Sequence, residues 1–260
     1  MDLGIIVDSL PRLLSGAWIT LQLTAISAAI GLVLAVPVAL ARLSANPLLR
    51  WPAFGYMFYF RGTPLLVQIF LVYYGSGQFV PQLRALGLWE FFREPYFCAL
   101  LTLTLNTAAY TAEILRGAIR AVPAGEIEAA RAVGMSGGLR FRRIVLPKAF
   151  RLALPAYTNE VIFLFQATSL VSIITIMDLT GVGRVLIAET FRTFEIWIFV
   201  GLCYLVMSYT ILYGFRRLEY RLSGHLRAAG PALETVPTRA RRAPEAGTPA
   251  PAPASALAIR

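Results

Sequence analysis

Residues 13–41 read LLSGAWITLQLTAISAAIGLVLAVPVALA, 29 residues without a charged side chain. A bilayer core about 30 Å thick takes roughly 20 apolar residues of helix, so this stretch is long enough to cross. Four more stretches behave alike. Residues 62–83, 95–112 and 196–215 carry no charge, and residues 152–177 carry only Glu160. One such run could be a buried element of a water-soluble core. Five at this length exclude that reading, and charged residues make up only 15% of the chain against about 25% in an ordinary soluble domain. A β-barrel needs alternating segments of about ten residues, whereas these runs are continuously apolar. Helices satisfy their own backbone in lipid. The fold class expected is all-α: a polytopic membrane protein with five transmembrane helices.

Arginine and lysine set the expected orientation. The stretches 42–61, 116–151 and 216–227 hold 3, 8 and 4 basic residues; 1–12, 84–94 and 178–195 hold 1, 2 and 2. Basic loops stay in the cytoplasm, which puts the N-terminus outside and the C-terminus inside. The net charge of +10 is then topology and contact with the lipid bilayer. It does not indicate nucleic acid, since no nucleic-acid motif accompanies it. The first apolar run lacks a basic start and is too long for a cleaved signal, so it reads as a retained helix. Residues 1–12 read as a short outer segment. Cys98 and Cys203 lie inside apolar runs and read as small fillers, with no disulfide or metal site. Residues 1–227 form the membrane domain; residues 228–260, rich in alanine and proline, read as a disordered cytoplasmic tail.

Punctuation along the runs adds detail. Gly16 and Gly31 would let helices approach closely, and Pro37 would bend the first helix. Asn46-Pro47 signals a turn. Arg61-Gly62-Thr63-Pro64 sits at the start of the second run, as a membrane boundary or a break in the helix. Intramembrane polar groups are costly and often functional; the candidates for a pathway or substrate site are Asn106, Glu113, Glu160, Gln166, Thr168 and Ser169. Each could instead hold helices together. Glu113 and Glu160 are expected to pair with neighbouring arginines, Glu113 with Arg116 or Arg120 on one helix face.

The most polar patterned stretch is 126–147. Pro123 suits a first helical turn, and Glu126 and Glu128 follow where the helix dipole favours negative charge. Ile127, Ala129, Ala130 and Val133 make a narrow apolar surface. Gly134 is expected in a left-handed cap, Ser136 as the cap of a second helix, and Pro147 as a break near the membrane. The result is a helical hairpin on the inner surface. By pattern alone it is either a connector resting on headgroups or a docking knob for a partner.

Glu128-Ala129-Ala130, then Gly134, then Ile144-x-Leu146-Pro147 resembles the signature loop of bacterial binding-protein-dependent ABC importer permeases. The segments 60–65 (FRGTPL), 106–113 (NTAAYTAE) and 168–172 (TSLVS) are similar to those of the polar amino-acid branch, the histidine/glutamine/arginine/opine permeases. The likeness covers roughly residues 10–222. It implies the ABC type I importer permease fold in the bacterial inner membrane and a permease function for polar, basic or opine-like solutes. It also implies an identical or homologous permease partner, an ATPase dimer below, and a periplasmic amino-acid-binding protein above. The hairpin around Glu126, Glu128, Ala129, Ala130, Gly134, Ile144, Leu146 and Pro147 would be the coupling helix. Where relatives with homodimeric permeases often carry Lys-Asp, this chain has Gln166-Ala167, a departure that fits a non-identical partner.

Catalysis is not expected here. No Gly-x-x-x-x-Gly-Lys-Ser/Thr phosphate loop occurs, and the single histidine is His225. ATP and Mg belong on the partner ATPase, and this chain needs no cofactor of its own. Two rival readings are a secondary transporter, which usually shows more spans and an internal repeat, and a membrane scaffold without a path.

Overall fold

The structure, a computed structural model, describes residues 3–222. The tail assigned to 228–260 and His225 lie outside them. Helix α1 (Leu3–Leu43) takes in most of residues 1–12, read as a short outer segment, and continues through Pro11 and Pro37. Asn46 starts α2 (Pro47–Gly62): its side-chain oxygen accepts from the Leu48 amide at 2.9 Å. This is the usual N-cap bond, with proline at the first helical position.

The second apolar run is not one helix. α2 ends at Gly62, Thr63 and Pro64 are extended, and α3 (Leu65–Ser76) restarts beyond them. Proline disfavours helical geometry in the residue before it, and Thr63 accordingly sits at φ −117°, ψ 147°. α4 (Val80–Ala85) and α5 (Trp89–Phe92) are short and lead into α6 (Pro95–Arg120). A hairpin of α7 (Ala124–Ala132) and α8 (Gly137–Arg140) follows, then α9 (Leu146–Ala167), α10 (Leu179–Thr190) and α11 (Thr193–Leu222). Among the described residues, four helical stretches are long and apolar enough to cross a membrane singly: Val7–Leu43, Pro95–Arg120, Gly137–Ile174 and Thr193–Leu222. The fifth expected passage is the broken pair α2 and α3.

Pro147 does not break the chain, contrary to expectation. Residues Phe141–Val145 form a π turn in which the Leu146 amide bonds to the Phe141 carbonyl. In an α-helix the proline ring would press on the carbonyl four residues back. The wider turn removes that conflict, and π turns often mark functional places. The hairpin therefore joins α9 without an interruption.

α6 is the central helix, packing on α1, α9, α3 and α2. At the hairpin end the core is mostly alanine: Ala35, Ala39, Ala109, Ala112, Ala118, Ala149 and Ala153 are buried there with Met57, Leu115 and Val145. Small side chains permit the close backbone packing that holds helices together in lipid. Gly31 belongs to the same scheme, because a Cβ there would lie 2.5 Å from the Thr107 methyl. At the opposite end α10, expected only as part of an outer link, is clamped to α1. A Cβ on Gly16 would meet the Asp178 carbonyl oxygen at 2.9 Å, and Thr20 accepts from the Leu179 amide at 3.2 Å.

Candidate coupling surface and pathway site

Gly134 has φ +79°, the left-handed conformation expected. Its amide bonds to the Arg131 carbonyl at 2.9 Å, and the Met135 amide reaches the Ala130 carbonyl at 3.0 Å. These two bonds are the Schellman pattern that closes a helix C-terminus. Ser136 stands at the start of α8 with extended backbone, but its hydroxyl makes no capping bond. Lys148 on α9 forms an ion pair with Glu126 on α7. Two connections thus hold α7 against α9: the capped turn with its continuous helical exit, and the ion pair.

A groove of about 560 Å³ lies between α7 and α9. Five of the predicted hairpin residues line it: Glu126, Ala129, Ala130, Ile144 and Pro147. Glu128 is exposed outside it, Leu146 is half-buried beside it, and Gly134 forms the turn. Val133, at the end of α7, is 77% exposed.

The second cluster surrounds the break between α2 and α3. The last carbonyls of α2 would be orphans there. Gln68, only 2% exposed, supplies the donors: its amide nitrogen bonds to the Phe60 carbonyl at 2.9 Å, the Thr63 carbonyl at 3.1 Å and the Thr63 hydroxyl at 2.8 Å. Asn106 from α6 donates to the Phe60 carbonyl at 3.2 Å and to the Gln68 side-chain oxygen at 3.0 Å. A carbonyl can only accept, so the Asn106 amide is oriented with its nitrogen toward the break. Its oxygen has no partner among the described residues. Arg61, Gly62, Thr63 and Pro64 are thus a genuine break, held by two amides. Gln68→Leu leaves the Thr63 carbonyl unbonded and the Phe60 carbonyl with one donor. Each buried unsatisfied group costs about 1–3 kcal/mol, so thermal unfolding in detergent is expected to show a loss of about 2 kcal/mol. An unchanged midpoint rejects the role given to Gln68.

Asn106, Tyr110 and Glu113 follow one another at helical spacing along one face of α6. The structure separates their tasks. Glu113 forms an ion pair with Arg116 and lies 3.9 Å from Arg61. The Arg61 guanidinium sits 5.3 Å from the Tyr110 ring centre. Glu160 departs from expectation: no arginine pairs with it among the described residues. It is 9% exposed and accepts from the Thr107 hydroxyl at 2.9 Å. Glu160, Asn106 and Tyr110 line one cleft of about 370 Å³ between α3, α6 and α9, together with Leu65, Phe163 and Ala167.

The remaining candidates do not join that cleft. Thr168 is fully buried and its hydroxyl bonds back to the Phe165 carbonyl at 2.7 Å. Gln166 is exposed and lines a separate hollow with Ser169, whose hydroxyl bonds to the Gln166 carbonyl.

The sequence reading missed the clamp at the far end. Asp178, fully buried, accepts from the Gly181 amide at 2.9 Å, the Thr180 amide at 3.3 Å and the Tyr204 hydroxyl at 3.2 Å. Arg12 donates to Glu189 through both terminal guanidinium nitrogens, at 2.6 and 3.0 Å. That guanidinium holds the Glu189 carboxyl below its ordinary range. An aspartate before a helix was the available signal for the first; nothing local signals the second.

An all-helical, multi-pass membrane subunit, with a capped hairpin at one end and a polar cleft between α3, α6 and α9, is the build of a transporter component. Residues 18–224 match the family described as the binding-protein-dependent transport system inner membrane component, and the chain belongs to it. Over 228 residues it is 51% identical to the nopaline transport system permease protein NocM of Agrobacterium fabrum, covering 88% of this chain and 95% of that one. It is 43% identical over 213 residues to the histidine/lysine/arginine/ornithine transport system permease protein HisM of Escherichia coli, covering 82% and 90%. A crystal structure of an amino acid ABC transporter with histidines superposes with a TM-score of 0.77 at 33% identity, covering 85% of this chain and 99% of that one. The inward-facing MetNI methionine ABC transporter shares the fold, with a TM-score of 0.69 at 21% identity and coverage of 83% and 98%. This chain is therefore an inner-membrane permease component of an ABC transporter and not its ATPase. The secondary-transporter and scaffold readings fall with that assignment.

Proposed function

We propose that this permease passes amino acids with a cationic side chain, or opine-like derivatives, into the cytoplasm. One observation carries the substrate class. Glu160 is a nearly buried carboxylate without an ion-pair partner among the described residues, Arg61 acting on it only at longer range, and it opens on a cleft where the Asn106 oxygen is also free to accept. Such a lining offers acceptors to an ammonium or guanidinium group and little to an anion. The names of the relatives agree: histidine, lysine, arginine and ornithine share a basic side chain, and nopaline and octopine are opines.

The hairpin is the coupling element in this reading. A separate ATPase dimer, carrying ATP and Mg, would seat the α7 surface and exposed Val133. A periplasmic solute-binding protein would deliver the ligand at the opposite end, which puts the N-terminus in the periplasm and the C-terminus in the cytoplasm. A second permease, identical or homologous, would complete the path; the exposed Gln166 and the buried Thr168 then take no direct part in ligand contact. Closure of the ATPases would move α7 and, through the unbroken π turn, α9 with Glu160. Two-state rearrangements of this kind need a stiff connection between sites.

The test is uptake by the assembled transporter in vesicles, with its binding protein supplied. ATP-dependent accumulation of radiolabelled arginine or lysine, and none of glutamate, is expected. Accumulation without the ATPase, or preference for an acidic amino acid, overturns the proposal.

A further inference from the structure

A second cleft, of about 400 Å³, lies at the hairpin end between α1, α6, α9 and α11. Its walls include Leu32, Leu115, Leu154, Phe215 and Leu222, and Arg151 stands in the same lining. This is within the roughly 300–1,000 Å³ typical of ligand clefts. Protein interiors are close-packed, and an apolar wall with nothing against it forfeits its dispersion contacts. Within a bilayer the filler at hand is an acyl chain.

Arg151 supplies the second half of the argument. It is half-buried and makes no ion pair or hydrogen bond among the described residues. It also lines the neighbouring hairpin groove, where Arg143 is likewise unpaired and Lys148 is already engaged by Glu126. Two uncompensated guanidinium groups therefore stand where the hairpin runs into α9, one in the π turn and one in the first turns of that helix. Guanidinium binds phosphate in a bidentate manner. An apolar slot with a cationic rim matches an anionic amphiphile.

We propose that this cleft binds a phospholipid of the adjoining leaflet, with an acyl chain between α9 and α11 and an anionic headgroup on Arg151. The site rests on membrane embedding and not on the substrate reading. It would tie the angle between α11 and α9 to the lipid composition around the coupling hairpin.

The assembled transporter is placed in phosphatidylcholine vesicles doped with phosphatidylglycerol or phosphatidylcholine bearing a photoactivatable acyl chain. After irradiation, labelled residues are mapped by mass spectrometry. Residues 150–157 and 215–222 are expected to label on the order of fivefold more with the phosphatidylglycerol probe, the preference that one nearby basic residue confers. Arg151→Gln is expected to bring the two probes level. Leu154→Trp, which fills the slot, is expected to abolish labelling there with both while total labelling of the chain persists. If the tryptophan variant does not assemble, Arg151→Gln decides alone. Equal labelling by both probes in the unaltered protein overturns the proposal. So does labelling that appears only once residues 223–260 are deleted, or crosslinking of the cleft to a partner subunit, because either would mean that protein fills it.

Discussion

Glu160→Gln is expected to lower uptake of arginine and lysine by roughly thirtyfold or more, while raising the stability of the protein. The two effects have one origin. Glu160 is a nearly buried carboxylate whose single described partner is the Thr107 hydroxyl at 2.9 Å. Burying a charge without a counter-charge in ion-pair contact is costly, and Arg61 acts on Glu160 only at longer range. Glutamine keeps the volume and can still accept from Thr107, so the fold keeps its shape and loses a penalty. Removing one member of a desolvated, hydrogen-bonded charge pair costs about 2–5 kcal/mol, and that pair exists only when a cationic substrate is in the cleft. A residue kept for packing would behave in the opposite way, with uptake little changed and stability lowered.

The measurement is therefore paired. Initial rates for arginine and for a neutral amino acid, if the binding protein accepts one, are compared in vesicles, and thermal unfolding is followed without substrate. Loss confined to the cationic solute, with a raised midpoint, supports the assignment. Unchanged arginine uptake ends it. Glu113→Gln supplies the contrast. Glu113 is tied to Arg116 and near Arg61, so its removal strands two guanidinium groups and should lower the midpoint.

Which of these features the sequence disclosed follows from what kind of signal each one leaves. The membrane passages appear as runs without charge, because lipid admits few charges and the pattern needs no partner to be read. Gly134 is legible because few residues adopt positive φ and a glycine after a short amphipathic helix has an established use. Gln68 stayed hidden for the same reason the spans were visible: counting charges passes over an amide, and its task is set by the carbonyls of Phe60 and Thr63, eight and five residues earlier, which the break exposes. Pro147 misled because the rule against proline assumes α geometry, and a π turn relaxes it. The partner of Glu160 was misjudged because an arginine nearby in sequence points to another face, while Thr107 lies 53 residues away. Local grammar is readable from the chain, whereas pairings across the bundle depend on helix rotation, which a sequence does not print.

Gly134→Val is expected to cut uptake at least tenfold while the protein stays in the membrane and the ATPase of the assembly keeps turning over. The reason is torsional. At φ +79° a Cβ on residue 134 would have nothing within 4 Å, so no clash opposes a side chain. Left-handed geometry itself costs an ordinary L-residue roughly 1–2 kcal/mol, and a β-branched one is a true outlier there. Relief comes by rotating out of that region. Doing so breaks the bonds from Gly134 to Arg131 and from Met135 to Ala130, which fix where α7 stops and α8 begins. The hairpin then no longer passes movement of α7 to α9 through the π turn, and hydrolysis proceeds without transport. Asparagine enters left-handed geometry far more readily, so Gly134→Asn is expected to keep at least half of the unaltered uptake. The pair separates torsion from space: if both variants fail equally, crowding by a docked partner is the cause, and if both transport normally, the capped turn carries no force.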